Sequence, residues 1–194
     1  MADVLTGSVN PSGKLPFTFP VRYEDCPIKT EAQYPGIAPE NPKGIWEEVY
    51  SEGVFVGYRW YEANEIKPLF AFGHGLSYTS FEYGKISLSS KKMHKSITVS
   101  VPVTNTGKTA GAEVVQLYVS DRESSVVRPV KELKGFGKVY LEPGEKKVVK
   151  MTITPRDLSF FASASHSWVA EKGEFEILVG AASDDIRCRE VIYL

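Results

Sequence analysis

The sequence predicts a mainly β protein, a β-sandwich of about seven strands preceded by an irregular arm with short strands. From Tyr83 onward, apolar and polar residues alternate in short runs, and turn residues separate these runs. A period of two places successive side chains on opposite faces of a strand, and regularly spaced short strands are typical of sandwiches. The first 80 residues instead are rich in Pro, Gly and aromatic residues. We therefore divide the chain into a segment 1–82 and a sandwich 83–194.

The clearest strand is predicted at 96–105, where Ile97, Val99, Val101 and Val103 share one face. Pro102 cannot donate a backbone hydrogen bond, so we expect an edge or a bulge at that residue. The other strands are predicted at 81–88, 113–120, 133–141, 149–153, 175–179 and 191–194. Residues 142–145, Glu-Pro-Gly-Glu, predict a tight turn between two of them.

The segment 1–82 shows little periodicity. Residues 54–61 are compatible with a strand or an extended arm, and 2–5 with the end of a helix. Aromatic residues are nevertheless frequent here, and large apolar side chains without a fold of their own usually pack on another surface. Tyr58, Trp60 and Tyr61 are therefore candidate contacts either to a neighbouring domain or to a sugar ring.

Composition excludes several classes of function. The net charge of −1 gives no electrostatic reason to expect a nucleic-acid partner. No apolar run approaches the roughly 20 residues of a membrane span. Two cysteines are too few for a disulfide scaffold. Cys188 is interpreted as a small buried hydrophobe, and a Cys26–Cys188 bond stays open.

We predict no catalytic, cofactor or metal residues. The carboxylate pairs Glu47/Glu48, Asp121/Glu123 and Asp184/Asp185 lie in polar turns and are interpreted as solvated surface. The three histidines have no second ligand at metal-type spacing, so His74 is interpreted as structural and His94 and His166 as exposed.

Several motifs together resemble one enzyme family. Residues 10–20 (NPSGKLPFTFP), 50–59 (YSEGVFVGYR) and 68–81 (PLFAFGHGLSYTSF) resemble the end of the second domain of family 3 glycoside hydrolases and its passage into the C-terminal domain. Residues 103–107, 133–136, 141–145 and 173–180 resemble the strands and turns of that C-terminal, fibronectin type III-like domain. The motifs follow the family's order along essentially the whole chain.

The resemblance implies a parent β-glucosidase that acts on terminal β-linked sugars with retention, using one carboxylate as nucleophile and a second as acid and base. In the family these residues lie in a barrel domain and upstream in the second domain, and neither motif is matched here. We therefore expect a fragment that is inactive alone and braces the catalytic domains. Family habit suggests a periplasmic or secreted location.

Other functions stay open at this point. The chain could bind carbohydrate or another protein, self-associate through the aromatic arm, or complete an active enzyme with a separate catalytic chain.

Overall fold

The computed structural model describes residues 1–41 and 43–194. Two antiparallel sheets form a sandwich, as the sequence predicts. In the first sheet β3 lies centrally, with β6 on one side and both β1 and β2 on the other. The second sheet has the order β10-β9-β4-β5. The bounds are β1 Phe81–Tyr83, β2 Ser87–Leu88, β3 Ile97–Asn105, β4 Gly111–Asp121, β5 Glu132–Leu141, β6 Lys146–Ile153, β7 Phe160–Ala162, β8 Ser167–Val169, β9 Glu174–Ala182 and β10 Asp185–Tyr193.

Alternation along the strands builds the core between the sheets. The side chains of Ile97, Val99, Val101 and Val103 on β3 are fully buried, as their period of two predicts. They face Val115 and other apolar residues of the opposite sheet, where the shared cluster includes Leu117, Val119, Phe175, Ile177 and Val179. Burial of this continuous apolar layer is the main stabilising contribution to the sandwich.

The first predicted strand, 81–88, is interrupted. Tyr83 pairs with Val103 and Ser87 with Ser100, so three residues of the outer strand lie opposite two of β3. Pro102 lies at this point and accepts a hydrogen bond from the Gly84 amide. The predicted bulge is therefore present, but the extra residue belongs to the partner strand because Pro102 offers that strand no donor.

The turn at 142–145 carries the chain from β5 to β6 and thus from one sheet to the other. Gly144 has a φ of +75°, and Asn105 at the end of β3 exchanges backbone hydrogen bonds with Glu145 and Gly144. Strands β7 and β8 form a separate hairpin after β6. Trp168 lies on it half-exposed, with the Arg156 guanidinium stacked 3.3 Å from its ring centroid.

The segment 1–82 differs from the expected arm with short strands. Among its described residues before β1, the β pairing consists of isolated bridges, Phe19 with Phe70 and Ile37 with Glu47. The segment also contains the helices α1 Ala2–Leu5 and α2 Tyr58–Ala63 and a 3₁₀ turn Tyr23–Asp25. A short helix α3, Pro155–Leu158, follows β6 in the sandwich. Where we predicted a strand or extended arm at 54–61, the chain turns at Gly57, with a φ of +61°, into α2. The helical period explains this, because Tyr58, Tyr61 and Glu62 then share one face.

Neither cysteine forms a disulfide. The Cys188 side chain is half-buried, packs against the core and lies 3.3 Å from the Gly84 carbonyl oxygen. The small-hydrophobe interpretation of Cys188 thus fits its surroundings.

Candidate functional site: the junction of the N-terminal segment with the sandwich

The segment 1–82 covers part of the outer face of the second sheet, around Gln116 and Tyr118 on β4. Side chains on this face alternate with core residues and would otherwise meet solvent. Gln116, Tyr118 and Leu178 are nevertheless 3%, 0% and 4% exposed. We call this covered surface, together with the residues of 1–82 that contact it, the junction.

Gln116 is the central polar group of the junction. Its Nε2 donates to the carbonyl oxygens of Gly73, at 3.1 Å, and Ala181, at 2.7 Å, and its Oε1 accepts from the Tyr118 hydroxyl at 2.6 Å. A Cβ at residue 73 would overlap the Gln116 side chain, and the φ of +80° there also favours glycine. Gly73 thus allows the backbone to approach the sheet closely.

The three candidate aromatic residues all belong to α2, with Tyr58 and Tyr61 on one face. The Tyr58 ring stacks on Phe72 at 4.9 Å and meets Tyr118 edge-on at 6.0 Å, and its hydroxyl oxygen accepts a hydrogen bond from the Leu133 amide. Tyr61 is 5% exposed, and its hydroxyl lies 4.0 Å from Cys26 Sγ. Burial raises the pKa of Tyr58, and that of Tyr61 to about 12, so both stay protonated at neutral pH.

Trp60 contacts a different part of the chain from Tyr58. It is half-buried, and its Nε1 donates to the Asp25 carbonyl oxygen at 3.3 Å. The structure therefore brings Tyr58 and Tyr61 together at the junction and places Trp60 against the 3₁₀ turn. The three rings do not form a common exposed platform.

Ion pairs also cross the junction. Arg59 Nη2 lies 3.2 Å from Glu132 Oε1, Lys14 Nζ lies 2.9 Å from Glu113 Oε1, and Glu62 pairs with Lys131. Because these side chains are largely buried, their removal would leave uncompensated charges.

Arg128 organises the charges at the edge of the junction. Its Nη1 donates to Asp121 Oδ2 and to the Leu158 carbonyl oxygen, each at 2.9 Å, and its Nη2 donates to Glu132 Oε2 at 2.8 Å. The Asp121 side chain is only 4% exposed. Our interpretation of Asp121 as solvated surface is therefore wrong, because a buried guanidinium is its partner.

Gln116 and Arg128 were both missed in the sequence. A single polar residue between Val115 and Leu117 resembles the solvent face of a strand, so the alternation that predicted β4 concealed its role. A signal was present, since both faces of this strand are rather apolar and a second covering layer was therefore to be expected.

The remaining titratable candidates do not assemble into a site. His94 and His166 are exposed, whereas the His74 ring packs against Phe70 at 5.1 Å. Within residues 1–41 and 43–194, no cluster of three or more His, Cys, Asp or Glu side chains could hold a metal ion. Over the same residues, no helix is long and apolar enough to cross a membrane.

The segment 1–82 also carries an exposed aromatic patch. Phe17 and Phe19 lie 4.7 Å apart, Phe19 and Phe70 6.2 Å apart, and Leu69 and Leu76 are more than half exposed nearby. We call these five residues the aromatic patch. Exposed apolar surface of this kind usually marks an interaction site.

Comparisons with known proteins explain this arrangement. Residues 1–58 match the glycosyl hydrolase family 3 C-terminal domain, and residues 113–183 match the fibronectin type III-like domain. The chain is 53% identical to β-glucosidase BoGH3A of Bacteroides ovatus over 191 residues, which are 96% of this chain and 25% of that protein. The chain belongs to the C-terminal part of glycosyl hydrolase family 3.

Other family 3 members agree with this assignment. Thermostable β-glucosidase B of Acetivibrio thermocellus is 50% identical over 194 residues, covering 99% of this chain and 24% of that protein. The β-glucosidase of Kluyveromyces marxianus, solved in complex with glucose, superposes with a TM-score of 0.87 at 44% identity, covering 100% of this chain and 22% of that chain. The family 3 β-glucosidase of Bifidobacterium adolescentis superposes with a TM-score of 0.89 at 36% identity, covering 100% of this chain and 27% of that chain.

This family 3 chain thus spans about a quarter of the length of the relatives it matches. The fibronectin type III-like sandwich and the preceding family 3 segment, both expected from the sequence, are confirmed. Within the larger enzymes of the family, such a chain lies together with the catalytic domains.

Proposed function

We propose that this chain is the non-catalytic C-terminal module of a β-glucosidase and braces its catalytic domains. The aromatic patch carries the proposal. Phe17 and Phe19 lie in the part of the chain that matches the family 3 domain, and all five residues of the patch are at least 40% exposed. Burial of such a patch against a neighbouring domain would release its water and stabilise the assembly.

The junction explains how the module transmits this support. Hydrogen bonds from Gln116, stacking of Tyr58 on Phe72 and the ion pairs of Arg59 and Lys14 fix the segment 1–82 on one sheet. We assign Tyr58 and Tyr61 to this packing role, and Trp60 to the packing of α2 on the 3₁₀ turn of the segment. The sandwich then holds the aromatic patch in a defined position for its neighbour.

A complementation experiment tests the brace. β-Glucosidase B of Acetivibrio thermocellus, shortened by its C-terminal quarter, is co-expressed with this chain, and turnover of an aryl-β-glucoside is measured. We expect turnover only when both parts are present, because the shortened enzyme lacks the surface that covers its catalytic domains.

Matched variants locate the contact. Phe19→Arg places a charge in the aromatic patch and should reduce the recovered turnover at least tenfold. Phe136→Arg, at a more exposed position on β5 outside the patch, should leave the recovered turnover unchanged. Turnover by the chain alone would overturn the non-catalytic assignment, and equal effects of the two variants would overturn the role of the patch.

The patch also favours self-association of the isolated chain. Analytical ultracentrifugation of wild-type and Phe19→Arg chains tests this second possibility, with oligomers expected for the wild type alone. A monomeric wild type would exclude self-association without affecting the brace.

A further inference from the structure

Positive charge is concentrated on the first sheet, although the chain as a whole is nearly neutral. Residues 83–108 and strand β6 together contain eight lysines and no carboxylate. The whole chain has 23 cations and 24 carboxylates, so the remaining residues carry 15 cations against 24 carboxylates. The net charge of −1 therefore conceals two regions of opposite sign.

The register of β3 with β6 places two of these lysines on the outer side of the sheet. Because the odd-numbered residues of β3 from Ile97 to Val103 fill the core, the even-numbered ones point outward. Lys150 lies opposite Ser100, and Lys146 lies opposite Thr104, on this outward side. The two lysines are about 13 Å apart along the strand.

Three further lysines extend this surface beyond β6. Lys85 lies between β1 and β2, and Lys92 and Lys95 lie in the loop before β3. We call Lys85, Lys92, Lys95, Lys146 and Lys150 the basic face. All five side chains are exposed.

The lysines of the basic face are free of carboxylate partners. Over the described residues 1–41 and 43–194, none of the five forms an ion pair, whereas Lys91 pairs with Glu190 and Lys147 with Glu145. Glu82 on β1 lies at the rim, separated from Lys146 by Thr104 of β3. The ammonium groups are therefore available to an external anion.

The carboxylates of the segment 1–82 cancel this charge only weakly. Residues 1–81 carry ten carboxylates and six cations, and they pack on the second sheet. The two sheets of a sandwich lie about 10 Å apart, which exceeds the Debye length of about 8 Å at physiological salt. The basic face thus keeps a positive potential towards solvent.

The centre of the face indicates the kind of anion. Val148 lies between Lys146 and Lys150 with its side chain 53% exposed, and Pro102 lies opposite it on β3. The outward residues of β3 and β6 are Thr, Ser, Pro, Val and Lys, and they offer no aromatic ring on which a nucleic-acid base could stack. An apolar centre surrounded by ammonium groups instead suits the headgroup region of a bilayer, where apolar side chains meet lipid and lysines meet phosphate.

We propose that the basic face docks the chain on an anionic phospholipid surface. Each lysine held close to such a surface contributes a separate attraction, and no fixed geometry of the anions is needed. The face lies across the sandwich from the junction. Docking there leaves the surface of the segment 1–82 accessible to the catalytic domains.

Co-sedimentation of the full 194-residue chain with lipid vesicles tests the docking. Vesicles of phosphatidylcholine with about 30% phosphatidylserine should bind the chain, and vesicles of phosphatidylcholine alone should not. Raising the salt from about 0.1 M to about 0.5 M should weaken the binding at least about fivefold, because it screens the lysines.

A double variant locates the contact. Lys146→Gln with Lys150→Gln should weaken binding to the anionic vesicles at least about fivefold. The matched control, Lys67→Gln with Lys138→Gln, removes two exposed lysines outside the face and should bind as the wild type. Circular dichroism checks that each variant is folded. If the first variant is not, Lys85→Gln with Lys95→Gln, outside the strands, should weaken binding to a similar degree.

Four outcomes would overturn the proposal. The first two are no binding to anionic vesicles and equal weakening by the face and control variants. Equal binding to neutral vesicles would assign the contact to the aromatic patch. Binding to a short DNA duplex but not to vesicles would assign the face to nucleic-acid phosphates.

Discussion

Gln116 shows how one side chain joins two parts of the chain. It satisfies carbonyl oxygens of Gly73 in the segment and Ala181 in the sandwich, and it accepts from Tyr118. Substitution by Leu keeps the volume but leaves these three buried groups without their partner. The loss of these hydrogen bonds destabilises the folded protein because water cannot reach the buried groups to replace them.

We expect Gln116→Leu to lower the free energy of unfolding by about 2–4 kcal/mol, measured by urea denaturation. Lys138→Leu changes an exposed outward-facing residue of the adjacent strand β5. This variant should alter the free energy of unfolding by less than about 0.5 kcal/mol. Equal losses for the two variants would contradict the role of Gln116.

Residue roles at the junction could be predicted only in part. The sequence indicated that Tyr58 and Tyr61 contact something, because large aromatic side chains seldom stay exposed. It could not show that Asp121 is buried, since its partner Arg128 reaches it through a loop whose path depends on the folded sandwich. Side-chain pairing of this kind depends on tertiary structure.

At the scale of elements, charged groups connect α2 with β4 and β5. Burial alone would raise the pKa of Glu132, but the hydrogen bond from Arg128 and the charges of Lys134 and Arg59 outweigh it and hold the pKa below its usual range. The Glu132 carboxylate therefore binds a proton more weakly in the folded protein than in the unfolded chain. The resulting stabilisation is present above the unfolded-state pKa and is lost as pH falls through the folded-state pKa.

We expect Glu132→Gln to be less stable than the wild type at neutral pH, with the difference shrinking below about pH 4.5. Denaturation midpoints measured across this range check the prediction. Glu123→Gln, at an exposed residue beyond β4, should keep the wild-type pH dependence. A pH-independent loss in Glu132→Gln would instead indicate a packing effect.

Strands were predicted better than the segment before them, for a physical reason. Each sandwich strand has one face in the core, so alternation records its burial directly. Helix α2 has only six residues and packs by one face on a sheet distant in sequence, and so short a run of aromatic residues shows no clear period. The proposed boundary at residue 83 stays a prediction, and β1 begins two residues earlier, at Phe81.

At the scale of the whole molecule, the segment acts as a third layer. Tyr118 and Gln116 belong to the sandwich by sequence, and their buried side chains are contacted by Tyr58 and Gly73 of the segment. A chain shortened to residues 79–194 would lack these contacts and expose Tyr118 and Gln116. Its core would remain complete, since the shared cluster lies between the two sheets.

We expect this shortened chain to fold, to melt at a lower temperature than the full chain and to bind a dye specific for exposed apolar surface. Calorimetry and dye fluorescence measure the two effects. An unchanged melting temperature without dye binding would show that the segment 1–82 does not stabilise the outer face of the second sheet.

The interruption between β1 and β2 has a consequence for the chain in crowded surroundings. A long, regular edge invites strands of other molecules to add to it, which is how fibrils and amorphous deposits begin. Here one edge of the first sheet consists of two pieces of three and two residues, separated by the irregular backbone opposite Pro102. A protein with exposed phenylalanines is thereby protected from uncontrolled β-addition along that edge.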